Sequence, residues 1–312
     1  MLKNINNTLK LAACSMALVL ACLGGVDVRA EDDSIPQQEI SPSIAPLEAE
    51  NSVNITTIRR VSKPQQKVAS SASSFSMPQI NTNEDLNTNW GYGQRENIYN
   101  AAIIKSSNDV WPHKDRVPLH PLLLKSLLAC ESSFNPEAVS YTGAVGIAQL
   151  TPETAKRFGL NWSSSRNPTL AIPVGVKVLA EKAKVIIDPG NYHKILGLRP
   201  EQCPYATTVA QAYEELGNPS IEQYWHLMLA AYNGGGGTIL RAMAIARNRN
   251  LDPREWKNLV GDRNNPANSP LYLACTEIFR NGAMNKYREL SEYPVRIIKL
   301  YNKSVDPRYE VK

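Results

Sequence analysis

The stretch that decides the fold joins an apolar segment to a carboxylate and then to a glycine-punctuated segment: Glu131-Ser132-Ser133-Phe134-Asn135-Pro136, then Gly143-Ala144-Val145-Gly146-Ile147-Ala148-Gln149-Leu150-Thr151-Pro152. On a helix of 3.6 residues per turn, Glu131 lies on the face formed by Leu124, Leu127 and Leu128. A carboxylate there is poorly solvated, and the negative end of the helix dipole lies beside it. Both effects raise its pKa, which suits a general acid for glycosidic cleavage.

A glutamate at a helix end is more often a solvated surface residue or a member of an ion pair. Its neighbours strengthen the catalytic interpretation, because three ordered blocks resemble the signature of the soluble lytic transglycosylase (SLT) family. In chain order they are Glu131 to Ala155, Ala230 to Gly234, and Glu289 to Ile297. The resemblance extends from about residue 117 to 301, and it implies a mostly α, lysozyme-like transglycosylase domain.

The resemblance also implies the site. Glu131 would be the single catalytic acid, and the substrate-binding residues would be Ser140, Gln149, Tyr232, Asn233, Glu289 and Tyr293. Their ordinary roles would be a chain reversal for Ser140, a surface amide for Gln149, and a helix stop after Asn233. No metal or other cofactor is expected, because the four histidines are scattered and no paired cysteine spacing occurs.

The implied reaction cleaves the β-1,4 bond between N-acetylmuramic acid and N-acetylglucosamine in peptidoglycan and leaves 1,6-anhydro ends. One alternative is a lysozyme-type hydrolase, in which a second carboxylate such as Glu137 or Glu153 holds a water. Another is a non-catalytic, wall-binding part of an envelope-spanning secretion or conjugation machine. A transglycosylase that serves such a machine would combine both ideas. Glycan strands are the expected partner, and no nucleic-acid partner is predicted; the net charge of +5 suits an anionic polymer.

The domain boundaries follow from composition. Residues 1–30 read as an export signal with a basic start, an apolar core and cleavage after Ala30, so a periplasmic protein is expected. A lipoprotein anchored at Cys22 is the alternative. Residues 31–92 are rich in Ser, Pro, Gln and Asn and predict a flexible tether, or a segment that orders on binding a partner. Residues 93–312 would form the catalytic domain.

The chain departs from the family pattern at several positions. Ala148 and Thr151 replace methionines, which would make the groove floor smaller and more polar, and Leu290 replaces a threonine. Two insertions are expected, at about 184–219 and 251–288. Each insertion carries one cysteine, and Cys203 and Cys275 could form a disulfide in an oxidising compartment.

Periodicity predicts about ten helices, with scarce strand-like alternation. Two of these predictions bear directly on the site. The glycine-punctuated segment is expected to be helical over Gly143–Phe158, and the last helix is expected to begin at Pro294.

Overall fold

The fold is known from a computed structural model that describes residues 82–305. This part of the chain forms eleven α-helices, numbered here in chain order. They are α1 Asn100–Asp109, α2 Pro121–Ser132, α3 Pro152–Arg157, α4 Pro168–Ile187, α5 Tyr192–Ile195, α6 Pro204–Leu216, α7 Ile221–Gly234, α8 Gly236–Asn248, α9 Trp256–Val260, α10 Pro270–Phe279 and α11 Ala283–Val305. Between residues 82 and 305 there is no β-strand, only two isolated bridges that both involve Val145. The mostly α prediction is confirmed.

Local sequence sets where these helices begin. Five of the α-helices start at a proline, whose fixed φ suits the first helical turn and whose missing N–H would have no partner there. Side-chain caps add to this at Asn167, which accepts the N–H of Thr169 at 3.0 Å, and at Ser269, which accepts that of Tyr272 at 3.0 Å.

Helix α7 lies at the centre of the core and packs against α4, α8 and α11. Its apolar residues are almost fully buried, including Leu227, Met228 and Leu229. Helix α11 packs against α2 and α10 as well as α7. The end of α2, the end of α7 and the middle of α11 are therefore held together by the main packing of the domain.

The predicted helix over Gly143–Phe158 is wrong in its first half. Gly143 and Gly146 have φ of 85° and 80°, and Gln149 has φ of 47°, so the backbone cannot continue as a right-handed helix. Helix α3 begins only at Pro152. Thr151 is its N-cap and accepts the Thr154 N–H at 3.2 Å, so the side chain of this residue caps a helix.

The predicted start of the last helix at Pro294 is also wrong. Helix α11 begins at Ala283 and carries Pro294 inside it. An internal proline usually ends a helix, since it removes one N–H donor and crowds the preceding turn. Here the helix continues through it, and Leu290, Tyr293, Pro294 and Ile297 are all buried, so packing on the core outweighs the local cost.

The tether was predicted to extend to residue 92, but the domain begins earlier. Leu86 is fully buried, and its carbonyl oxygen accepts a hydrogen bond from the buried Lys125 ammonium at 2.7 Å. The Glu96 carboxylate accepts the backbone N–H groups of Trp90 at 2.5 Å and Tyr92 at 2.9 Å. The composition of residues 82–92 does not predict this, because a few specific contacts attach the segment to the domain and its average hydrophobicity is low.

The rest of the predicted tether, residues 31–81, and the predicted export signal with Cys22 lie outside the described residues. Within residues 82–305, no helix is both long enough and apolar enough to cross a membrane.

The two predicted insertions are folded parts of the domain. The first contains the end of α4, then α5 and α6; the second contains α9, α10 and the start of α11. Both α6 and α10 pack on α8. The predicted disulfide is wrong, because Cys203 and Cys275 are free and buried. Cys203 precedes α6 and Cys275 lies inside α10, where burial raises the pKa of its thiol to about 12.

Candidate active site

Glu131 is a buried carboxyl group in the last turn of α2. Its exposure is 6%, and the leucines that share its helix face are buried, as the sequence predicts. The helix ends immediately after it, because Ser133 adopts the left-handed conformation with φ of 54°. A carboxyl group in this position is fixed by the packing of the helix and has little contact with water.

Burial raises the pKa of Glu131 from its ordinary 4.5 to about 7. The negative charge of Glu289 also raises this pKa, while the hydrogen bond from Tyr293 and the positive charges of Arg296 and Lys286 lower it. These opposing effects leave the pKa of Glu131 close to neutral pH. Such a group can both give and take a proton under those conditions.

The glycine-punctuated loop, residues 143–150, is fastened beside Glu131. Ser132 Oγ donates to the Ile147 carbonyl at 2.9 Å, and Tyr232 donates from α7 to the Ala148 carbonyl at 2.9 Å. Gly146 has no room for a side chain, since a Cβ there would lie 2.1 Å from the Ser165 carbonyl oxygen. These contacts hold the backbone of the loop in place beside Glu131.

Helix α11 presents a stripe of four polar residues, Lys286, Glu289, Tyr293 and Arg296. Their spacing of i, i+3, i+7 and i+10 places them on one face. The Tyr293 hydroxyl donates a hydrogen bond to Glu131 Oε1, and burial together with the nearby Glu131 holds the pKa of Tyr293 well above its usual value. Tyr293 thus stays a donor and orients the carboxyl group.

A second cluster on this face joins α11 to the end of α7. Asn233 Nδ2 donates to Glu289 Oε1 at 2.9 Å, and Lys286 Nζ donates to Glu289 Oε2 at 3.2 Å and Asn233 Oδ1 at 2.9 Å. Glu289 is thus a hydrogen-bonded carboxylate, and its side chain is 10% exposed. Its charge is close enough to affect Glu131.

The structure brings together five of the predicted site residues: Glu131, Tyr232, Asn233, Glu289 and Tyr293. The Tyr232 hydroxyl donates its hydrogen bond to the Ala148 carbonyl of the loop. Burial, with the charge of Glu131, holds the pKa of Tyr232 well above its usual value. Tyr232 therefore lies near Glu131, and its contact with a substrate remains a prediction.

The other two predicted residues shape the adjoining loops. Ser140 Oγ accepts the Ala144 N–H at 2.9 Å and lies 2.9 Å from Thr142 Oγ1. Gln149 Nε2 donates to the Gly146 carbonyl at 3.0 Å. These contacts close the turn before the loop and the loop itself, and sugar contacts by Ser140 and Gln149 remain predictions.

Sequence reasoning missed Lys286 and Arg296 as members of this site. Their spacing from Glu289 and Tyr293 places all four residues on one helix face, but only if a single helix runs through Pro294. The helix was expected to begin at Pro294, so this face was not recognised. The two carboxylates considered for a hydrolase are exposed: Glu137 lies 3.4 Å from Arg166, and Glu153 is in the first turn of α3. Among residues 82–305, no cluster of three metal-ligating side chains occurs.

Comparison with known proteins agrees with this fold and site. Residues 113–254 match the family model described as the transglycosylase SLT domain. The similarity therefore covers α2 to α8, the part of the chain that carries Glu131, Tyr232 and Asn233. Glu289 and Tyr293 lie beyond the matched range, and the structure is what places them beside Glu131.

Curated relatives carry matching names. The chain is similar to the membrane-bound lytic murein transglycosylase C of Glaesserella parasuis, with 29% identity over 54% of this chain and 42% of the relative. The protein of the same name from Actinobacillus pleuropneumoniae is 30% identical over 44% of this chain and 34% of the relative. Membrane-bound lytic murein transglycosylase F 2 of Alkalilimnicola ehrlichii is 30% identical over 44% and 24%. The matched region thus spans less than half the length of each relative.

Proposed function

We propose that this protein is a peptidoglycan lytic transglycosylase that cleaves the β-1,4 bond between N-acetylmuramic acid and N-acetylglucosamine. The observation that carries the proposal is the buried Glu131, which is oriented by Tyr293 and has a pKa of about 7. The SLT domain and the names of its relatives support peptidoglycan as the substrate.

In the proposed reaction, protonated Glu131 gives its proton to the glycosidic oxygen, and the bond from that oxygen to C1 of the muramyl residue breaks. The acetamido group of the same residue assists the departure. Glu131, now ionised, takes the proton of the C6 hydroxyl, whose oxygen bonds to C1 to form the 1,6-anhydro ring. No water is added, and Glu131 ends in its starting form.

The second carboxylate of the site supports a transglycosylase over a hydrolase. In an inverting hydrolase with two carboxylates, the second carboxylate holds and activates a water. Glu289 has both oxygens in hydrogen bonds, to Asn233 and to Lys286. A carboxylate engaged in this way suits a fixed charge that supports Glu131.

The experiment is mass analysis of the products from purified sacculi. Muropeptides with anhydro ends are expected, and hydrated ends are one water heavier. A wild-type protein that gives mainly hydrated ends would be a hydrolase, and one that releases nothing while still binding sacculi would be a wall-binding component. Glu131→Gln is the matched control, since it removes the transferable proton and keeps the side-chain shape.

We further propose that the chain is exported to the periplasm and serves an envelope-spanning machine. The support is its sequence: an export signal, then a long polar segment ahead of the domain. Fractionation of cells that express the full chain and its Cys22→Ser variant tests the location, because a lipoprotein would leave the membrane fraction in the variant. Cross-linking from residues 31–81 in cells that carry such a machine tests the partner; exclusive cross-links to peptidoglycan would contradict it.

A further inference from the structure

Lys286 is a buried ammonium group between α11 and the end of α7. Its exposure is 8%. The group has three N–H donors and three acceptors within reach: the Asn233 carbonyl at 3.2 Å, Asn233 Oδ1 at 2.9 Å and Glu289 Oε2 at 3.2 Å. A buried lysine is costly unless its donors and its charge are compensated. Here the hydrogen bonds compensate the donors, and Glu289 compensates the charge.

The three side chains form a closed triangle. Asn233 binds both Lys286 and Glu289, and Lys286 binds Glu289 directly. Each contact limits the other two, so Glu289 has little freedom to turn toward or away from Glu131. Helix packing of α7 and α11 fixes the triangle relative to the rest of the site.

We propose that Lys286 is a positioning residue for catalysis: with Asn233 it holds the Glu289 carboxylate in one place beside the Glu131–Tyr293 pair. The inference rests on the proposed function, because it concerns the surroundings of the proposed acid, Glu131. Glu289 and Tyr293 are four residues apart on α11 and so lie on one face of the helix. A Glu289 carboxylate that is held in place therefore presents a constant charge to Glu131.

All charged and titratable groups that act on Glu131 belong in this account. From α11 they are Tyr293, Glu289, Arg296 and Lys286; from α7 there is Tyr232, and from α2 its neighbour Cys130. Arg296 is exposed and Lys286 is buried. Lys286 donates a hydrogen bond to Glu289 Oε2 at 3.2 Å, so it is the cation that we propose holds this carboxylate.

The test compares Lys286→Met, Glu289→Gln and the double variant by the pH dependence of kcat. In Lys286→Met the Glu289 carboxylate loses a hydrogen-bond partner and can turn, so the plateau rate falls at least ~10-fold, part of the ~10²–10⁴-fold effect of a general acid. The alkaline limb moves to higher pH, because Glu131 has lost a neighbouring cation that lowers its pKa. In Glu289→Gln the cation remains and the second carboxylate is gone, so the limb moves to lower pH.

The double variant decides the question. With Glu289→Gln present there is no carboxylate for Lys286 to hold, so adding Lys286→Met changes the plateau rate little, and the alkaline limb lies between those of the two single variants. If Lys286 acts through packing alone, Lys286→Met slows the Glu289→Gln protein as much as it slows the wild type, and the limbs of the single variants do not move in opposite directions. Either of these two observations overturns the proposal. Lys299→Met, an exposed position on the same helix, controls for loss of a positive charge.

A second measurement does not depend on activity or on Lys286→Met being folded. The carboxyl ¹³C resonance of Glu131, assigned with Glu131→Gln, is followed through pH in the wild type, in Lys286→Gln and in Glu289→Gln. Its titration midpoint is expected at higher pH in Lys286→Gln and at lower pH in Glu289→Gln than in the wild type. The same midpoint in all three proteins would refute the inference. If sacculi instead give hydrated products while these displacements hold, the proposed function fails and the role of Lys286 stands.

Discussion

The Tyr293 hydroxyl on α11 donates a hydrogen bond to Glu131 Oε1 on α2, across 162 residues of sequence. Both groups are buried, so the contact is shielded from water. A hydrogen bond to an ionised group in such surroundings contributes more than one between neutral groups, on the order of 1.5–3 kcal/mol. It fixes the direction in which the proton of Glu131 points.

Tyr293→Phe should therefore slow the reaction and move its pH dependence. The lost donor had favoured the ionised carboxylate, so the pKa of Glu131 rises further above about 7. Because the protonated form begins the reaction, the alkaline limb of kcat should move to higher pH, while the plateau falls roughly 10-fold from poorer orientation. Sacculus cleavage from pH 5 to 9 measures both effects. A limb that moves to lower pH would show that the tyrosine favours the protonated form instead.

Glu131→Gln should abolish cleavage and make the protein more stable above neutral pH. The wild-type group has a folded pKa of about 7 and an ordinary value of 4.5. Between these values the folded state binds more protons than the unfolded state, so stability falls as pH rises. Above pH 7 the cost is on the order of 3 kcal/mol, and glutamine does not carry it.

Denaturant unfolding at pH 5 and pH 8 measures this effect. The stability difference between Glu131→Gln and the wild type should be larger at pH 8 than at pH 5. Glu137→Gln serves as the control, since Glu137 is exposed and apart from Glu131. A difference independent of pH would mean that Glu131 does not have a raised pKa in the folded protein.

The early start of the domain gives a third prediction. A chain that begins at Thr82 should be as stable as a longer one, whereas a chain that begins at Gly93 should lose several kcal/mol. The shorter chain lacks buried Leu86, whose loss costs about 2–5 kcal/mol, and leaves the Lys125 ammonium without the Leu86 carbonyl. Thermal and urea unfolding of both chains measure the difference.

Lys125→Met is informative in this comparison. In the chain that begins at Gly93 it removes a buried charge that has lost a partner, and it should recover part of the lost stability. In the chain that begins at Thr82 it should be destabilising. Equal stability of the two truncated chains would show that the segment from Thr82 to Tyr92 does not contribute to the fold.

The sequence was sufficient to predict those features of the fold and site that depend on residues close together in the chain. The apolar face that ends at Glu131 predicted both its burial and its raised pKa. Periodicity predicts helices over Leu119–Glu131, Thr169–Ile186 and Ile221–Tyr232, which agree with α2, α4 and α7 to within a few residues. Cap and proline signals are short-range, so the chain displays them directly.

The predictions that were wrong concern features that depend on contacts between residues far apart in the chain. The loop after Gly143 reads as a helix until the positive φ of Gln149 is known. The interior place of Pro294 and the anchoring of Leu86 depend on partners far away in the chain. The departure of Leu290 from the family pattern also has an explanation only in the structure, where it meets Gly234.

Gly234 and Leu290 fit together, and this pairing yields the last prediction. A Cβ at Gly234 would lie 2.6 Å from Leu290 Cδ2 and 2.7 Å from Cδ1, and Leu290 is fully buried. Gly234 is the last residue of α7 and does not have a positive φ, so Gly234→Ala in open space would be neutral or stabilising. Here overpacking should dominate and make Gly234→Ala destabilising by about 1–3 kcal/mol.

In a background of Leu290→Ala, which removes the clashing methyl groups, the same Gly234→Ala change should become neutral or stabilising. Urea unfolding of the four proteins of this cycle measures the coupling, and Ala246→Gly on α8 checks how a buried helix responds to glycine without this contact. Additive effects of the two changes would mean that Leu290 can turn away from Gly234 at no cost, and that the close approach of α7 and α11 does not depend on this pair.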